Sequence, residues 1–220
     1  MERGMFIAVE GIDGAGTSTQ TDLIAEWLRQ KNISVHKTWE PTEGRIGRII
    51  REYLSGADGV PDLDRHYHAL ALLFAADRLD HLGREVEPRL AEGISVVSDR
   101  YVLSSLVYQS LHCDRKWVWS INSEALAPHV TFLVDVPAEL GMERIARRSL
   151  FTKTDIYETL DNLEKLRKRY LKAAGELYPH QEILVIDGDD EPEKVHERII
   201  HQLEPRLKTF EETSPDLEKI

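Results

Sequence analysis

The stretch Val9-Glu10-Gly11-Ile12-Asp13-Gly14-Ala15-Gly16-Thr17-Ser18-Thr19-Gln20 has its glycines at the spacing of a phosphate-binding loop. Gly11, Gly14 and Gly16 let the backbone curl so that successive N–H groups face inward, and a helix beginning near Thr17 adds the positive end of its dipole. A nucleotide phosphate fits that arrangement. Against the pattern G-x-x-x-x-G-K-[ST], Gly11, Gly16 and Ser18 match, while Thr17 stands where lysine is expected. The Ser18 hydroxyl is placed for magnesium, but the Thr17 hydroxyl brings no positive charge to the β- and γ-phosphates. Taken alone, the stretch also fits an ordinary glycine-rich strand-to-helix turn.

Further groups bear on the same chemistry. Phe74 and Arg78 lie four apart on a helix and so share a face: a ring that can stack on a base and a guanidinium that can donate to a carbonyl oxygen. The spacing equally fits a core phenylalanine beside a surface arginine. Asp99 and Arg100 follow a strand and offer a metal-associated carboxylate next to a phosphate-binding cation, or else a strand-end ion pair. Ser105, Tyr108 and Gln109 come just after, within one helical turn of each other, and read either as a polar face toward the same crevice or as ordinary helix-surface residues. Arg144, Arg147, Arg148 and Lys153 form a short basic segment, which reads as a solvated surface or as an arginine lid closing over phosphates.

The elements that must hold these groups alternate strand and helix. Met5 to Val9, Val35 to Trp39, Ile94 to Ser98, Val130 to Val136 and Glu182 to Ile186 are short apolar runs of the kind buried in a parallel sheet. Ile46, Ile49, Ile50, Tyr53 and Leu54 mark an amphipathic helix, and a longer helical pattern runs from Leu63 to Ala91 with a break or bend before Pro88. Helices are also expected through Ser104 to Leu111, around Trp117 to Ala127, after Pro137, over Ile156 to Leu177 and through Val195 to Leu203. Five strands separated by helices make a single α/β domain, a doubly wound five-stranded parallel sheet covered on both faces. Its expected extent is residues 1–208, with a lid at about 144–156 and a frayed tail over 209–220.

At 220 residues, 41% hydrophobic and 30% charged, the chain can bury one good core. Its net charge of −11 argues against nucleic acid as a partner, and no apolar run reaches membrane-spanning length. The first strand comes too early for a secretory signal to precede it, so a cytoplasmic location is expected; the single cysteine, Cys113, excludes an internal disulfide and any multi-cysteine metal site and is compatible with a reducing compartment.

These groups, in this order, resemble the thymidylate kinase family of nucleoside monophosphate kinases, which make dTDP from dTMP. The resemblance rests on LLFAADRLDH at 72–81, DRYVLSSLVYQ at 99–109 and the phosphate loop with its Asp13. It implies ATP as phosphoryl donor on Gly11, Ile12, Asp13, Gly14, Ala15, Gly16, Thr17, Ser18 and Thr19, with Mg²⁺ associated with Ser18 and Asp99. It further implies that Phe74 stacks on thymine and Arg78 donates to the base. Asp13 would reach the 3′-hydroxyl and Arg100 the 5′-phosphate; Tyr108 would leave no room for a 2′-hydroxyl, with Ser105 and Gln109 at base-contacting positions. The family implies a homodimer that supplies dTDP for dTTP synthesis. Two features depart from it. Thr42-Glu43-Gly44 replaces the usual Gly-Gly-Thr after Glu40-Pro41, leaving Arg45 and Arg48 unassigned, and Thr17 replaces the loop lysine. Asp99, Arg147 and Arg148 are the expected catalytic set, one of the two lid arginines supplying the missing charge. A kinase for another nucleoside monophosphate and a non-catalytic nucleotide-binding paralogue are the alternatives.

Overall fold

The apolar run at the N-terminus becomes the middle of the sheet. A computed structural model describes residues 3–55, 62–149, 159–177 and 181–213. Strand β1 (Phe6–Gly11) is buried along its whole length. It pairs in parallel with β3 (Ser95–Asp99) on one side and β4 (Val130–Asp135) on the other, with Phe6 opposite Val96 and Ile7 opposite Val130. The outer strands, β2 (Val35–Trp39) and β5 (Ile183–Asp187), are also parallel, giving the order β2-β3-β1-β4-β5. Alternate residues of β1 serve the two faces: Ile7 and Val9 pack with Ile24, Phe132, Leu166 and Ile199, while Phe6 and Ala8 pack with Ala71, Leu90 and Val96. The chain therefore leaves β1 toward β2 and later crosses to β4. The carboxyl end of β1 is the topological switch point, where sheets of this type bind ligands.

Helices α1 (Thr17–Gln30), α2 (Arg45–Ser55) and α3 (Leu63–His81) follow the first two strands. The Asp62 side chain starts α3 by accepting from the Arg65 N–H at 3.0 Å. The bend expected before Pro88 is a single π-turn, Leu82–Val86, leading into α4 (Glu87–Ala91). Widening the helix there makes room for the Pro88 ring, which would strike a carbonyl of the preceding turn in a regular helix. Helix α5 (Val102–Tyr108) continues as a 3₁₀ turn, Gln109–Leu111.

Helix α6 (Arg115–Ile121) is shorter than the expected Trp117 to Ala127. Asp114 caps its start, accepting from the Trp117 N–H at 2.9 Å. Asn122 ends it, with Nδ2 donating back to the Val118 carbonyl at 2.8 Å and Oδ1 accepting from Arg78. Helices α7 (Ala138–Ser149), α8 (Leu160–Leu177) and α9 (Pro192–Thr213) complete the layers. Helix α9 runs to Thr213, and Phe210 packs edge-on against His129. The expected lid begins on the last turns of α7; its remaining residues, with Lys153, lie outside the described residues, as does 214–220.

Candidate active site

Two glycines give the loop after β1 its shape. Gly14 (φ +80°) and Gly16 (φ +92°) occupy the left-handed region, and a Cβ on Gly14 would lie 2.2 Å from the Gly141 carbonyl oxygen. Gly16 caps α1 without a side chain, so the first N–H groups of a long helix open into a pocket of about 960 Å³. Thr17, Ser18, Thr19, Asp99, Arg100 and Arg144 line that pocket. Ile12 and Ala15 are buried beneath the loop, where the Ala15 N–H donates to the Ile12 carbonyl at 3.0 Å.

Ser18 Oγ donates to Asp99 Oδ2, and Asp99 Oδ1 is buried without a partner among the described residues. A hydroxyl, a carboxylate and an unsatisfied carboxylate oxygen at the mouth of a phosphate loop are hard donors that fit a hydrated magnesium ion.

The second pocket, about 540 Å³, holds the residues expected to bind the acceptor: Phe74, Arg78, Arg100, Ser105, Tyr108 and Gln109, with Asp13. Asp13 and Arg100 line both pockets, so the two meet at this ion pair. Arg100 Nη2 donates to Asp13 Oδ1 at 2.8 Å, and Nη1 donates to Tyr170 OH at 3.0 Å and to the Gly11 carbonyl. Tyr108 OH donates to Asp13 Oδ2 at 2.9 Å. The Arg100 backbone sits at φ +68°, in the left-handed region that costs a non-glycine residue roughly 1 kcal/mol or more. Its fixed contacts hold it there. Burial alone would lower the Arg100 pKa, but Tyr108, Tyr170, Asp13 and Asp99 beside it outweigh burial and hold it well above its ordinary value. Burial pushes the Tyr108 phenol up, so it stays neutral and keeps donating to Asp13.

Arg78 is 1% exposed, so it is not the surface arginine that its spacing also allowed. Nε donates to Glu40 Oε2 at 2.9 Å, Nη2 lies 2.7 Å from the same oxygen as an ion pair and donates to Ser105 Oγ at 3.0 Å, and Nη1 donates to Asn122 Oδ1. The other Glu40 oxygen faces His81 Nδ1 at 3.1 Å. The guanidinium is thus locked edge-on at the pocket wall, and Gln109 Oε1 is buried there without a partner among the described residues.

The Thr42-Glu43-Gly44 departure has a structural counterpart. Thr42 N and Oγ1 each donate to Asp77 at 2.7 Å, and Arg51 donates to the Thr42 and Pro41 carbonyls at 2.7 and 2.6 Å. Arg48 donates to the Glu43 carbonyl at 3.0 Å. Arg45 and Arg48 are both exposed, and neither lines the acceptor or phosphate pocket.

Sequence reasoning missed Glu10, a carboxylate at the buried centre of the sheet. It accepts from the Tyr101 and Ser104 N–H groups at 2.9 and 3.1 Å, from Ser104 Oγ at 2.5 Å and from Tyr170 OH at 3.2 Å, fixing the entry to α5 directly beside Arg100. The signal was a single charge ending an apolar strand. Burial pushes the Glu10 carboxyl up to about 7, against Arg100 and the hydrogen bonds from Ser104 and Tyr101. The folded state then binds a proton that the unfolded chain releases near pH 4.5. Stability from this group is full below pH 4.5 and is lost as pH rises through about 7. Denaturant titrations of the unaltered chain and Glu10→Gln are expected to show their stability difference shrinking or reversing between pH 5 and 8. A difference independent of pH would contradict it.

On α7, Arg147 is paired with Glu143 at 2.5 Å and is largely exposed, beside a third pocket of about 880 Å³ that also takes in Thr19, Gln20, Arg144 and the turn after β5. Arg148 lies on the last turn of the same helix; its side chain is outside the described residues.

A phosphate loop at the switch point of a parallel sheet, opening through a shared Asp13–Arg100 pair into a base-sized pocket, defines a nucleotide-binding α/β domain laid out for phosphoryl transfer between two nucleotides. Comparison with known proteins narrows this. The family profile described as thymidylate kinase matches residues 9–199. A relative from Thermococcus kodakarensis named "Probable thymidylate kinase" is 40% identical over 207 residues, covering 92% of this chain and 98% of the relative. Relatives of the same name from Thermococcus onnurineus and Pyrobaculum aerophilum are 41% and 43% identical over 92% and 86% of this chain, and 98% and 91% of their own. The chain belongs to the thymidylate kinase family.

Proposed function

We propose that this protein transfers the γ-phosphoryl group of ATP to dTMP, giving ADP and dTDP. The observation that carries the reading is the junction of the two pockets at Asp13 and Arg100, because in-line transfer needs donor and acceptor phosphates brought together in one crevice. A phosphate oxygen of dTMP forms the new bond to the γ-phosphorus as the bond to the β–γ bridging oxygen breaks, its electron pair leaving on ADP. The acceptor is already an anion, so no general base is strictly required.

The roles proposed for the residues are those the family resemblance implies, and their positions in the two pockets support them. The backbone from Gly11 to Thr19 cradles the donor phosphates, and Arg100 holds the acceptor phosphate. Phe74 offers a stacking face, Arg78, Ser105 and Gln109 offer polar edges to the base, and Asp13 meets the sugar with Tyr108 closing the space beside it. Mg²⁺ held near Ser18 and Asp99 would screen charge on the β- and γ-phosphates. Arg147 and Arg148, at the base of the expected lid, would close over the transferring group.

We place the enzyme in the cytoplasm as a homodimer. No helix among the described residues is long and apolar enough to cross a membrane. The dimer is supported by α3, where Leu72 (50% exposed), Ala76 and Leu79 (45% exposed) form a surface stripe that continues to Gly83. Chromatography of a reaction with ATP and dTMP is expected to yield dTDP, with at least tenfold less product from the ribonucleotide carrying the same base. Equal yields would remove Tyr108 from sugar selection.

A further inference from the structure

The phosphate loop lacks its lysine, yet it does not lack a cation. Thr17 is 6% exposed, and its methyl group lies 3.3 Å from where a Gly11 Cβ would be, so the short side chain is tucked against the loop's first glycine. Above the loop lies Arg144. Its Nη1 is 4.0 Å from where a Gly16 Cβ would be and 3.4 Å from the carbonyl oxygens of Gly14 and Ala15; Nη2 is 3.4 Å from the Asp190 carbonyl. These are long contacts to neutral acceptors. Arg78, Arg100, Arg167 and Arg198 all pair with carboxylates, whereas Arg144 pairs with none among the described residues.

Its position is set by rigid structure. Gly141 packs directly on the loop: a Cβ there would lie 2.9 Å from the Asp13 carbonyl oxygen. Arg144 is three residues further along α7, on the same face, next to buried Ile145. It lines both the phosphate pocket and the pocket beside it, so its charge stands where the donor phosphates lie.

We infer that Arg144 is the catalytic cation of this phosphate loop, donating to the β- and γ-phosphates in place of the lysine that Thr17 replaces. The inference rests on the kinase reading above. Arg144 reaches the phosphates from a neighbouring helix rather than from the loop itself, and independently of any closing lid. Its weak contacts to loop carbonyls are exchanged for charged phosphate oxygens when nucleotide enters, so the gain falls on triphosphate binding and on the transition state.

The test compares the unaltered chain, Arg144→Ala, Thr17→Lys and the double variant. Calorimetry with Mg²⁺ and a non-hydrolysable ATP analogue, and separately with AMP, is paired with turnover of ATP and dTMP. Arg144→Ala is expected to weaken the triphosphate analogue at least tenfold, leave AMP within twofold and lower kcat about 10²-fold. Adding Thr17→Lys should recover at least tenfold of that loss, while the same substitution with Arg144 present changes kcat far less. Equal weakening of AMP and the analogue would make Arg144 a base contact and overturn the inference. So would turnover within twofold, or no recovery from the lysine. If the unaltered chain binds the analogue but does not phosphorylate dTMP, the kinase reading fails while the affinity comparison still decides Arg144.

Discussion

Replacing Arg100 by alanine is expected to lower kcat/KM for dTMP by about 10³-fold, because a charged donor shared by both pockets is removed. Lysine should not restore it. The guanidinium divides its donors among Asp13, Tyr170 and the Gly11 carbonyl, a fork that a single ammonium cannot reproduce. The left-handed backbone at this position adds a second readout. Arg100→Gly and Arg100→Ala should lose activity alike, but glycine relieves the φ of +68° and should unfold about 1 kcal/mol later in denaturant. Equal stability of the two would mean that the conformation carries no strain, and retained turnover in either would take Arg100 out of phosphate binding.

Removal of Arg78 should act on stability as well as on binding. Glu40 is 3% exposed at its side chain, so Arg78→Ala leaves a buried carboxylate facing only His81, at a cost of about 3–5 kcal/mol. Glu40→Gln tests function more cleanly, since it keeps the shape and removes the charge that orients the guanidinium. KM for dTMP is expected to rise about tenfold while KM for ATP stays within twofold. Parallel changes in both constants would show that Glu40 supports the whole fold and does not orient the acceptor base.

The contrast between these two arginines shows what was legible in the sequence. Arg100 follows an apolar strand directly, so its place at the carboxyl edge of the sheet could be read from local pattern. Arg78 could not be resolved, because its spacing from Phe74 fits a surface as well as a site; what buries it is its pairing with Glu40, 38 residues earlier, and Asn122, 44 later. Such partners come together only through the strand order. Five parallel strands were legible, but the placement of β1 between β3 and β4 depends on long-range pairing. Likewise the C-cap of α6, Asn122, accepts from Arg78, 44 residues earlier, a partner that the local helical pattern past Ile121 does not show. Glu10 was visible as a charge in an apolar run, yet its partners lie about 90 residues away on the turn into α5. The Thr17 substitution was plain from the motif. Arg144 was legible only as one member of a basic segment, and it is the packing of Gly141 on the loop that sets it apart.

The most direct test of the account is coupled ADP production from ATP and Mg²⁺ with dTMP, set beside dUMP, dCMP and a reaction without acceptor, on the unaltered chain with Thr17 in place. Turnover that depends on dTMP and exceeds that with dUMP and dCMP is the predicted result, and it would mean that the loop works without its lysine. No ADP above the acceptor-free reaction, or equal rates with all three acceptors, would contradict the assignment of this site to dTMP phosphorylation.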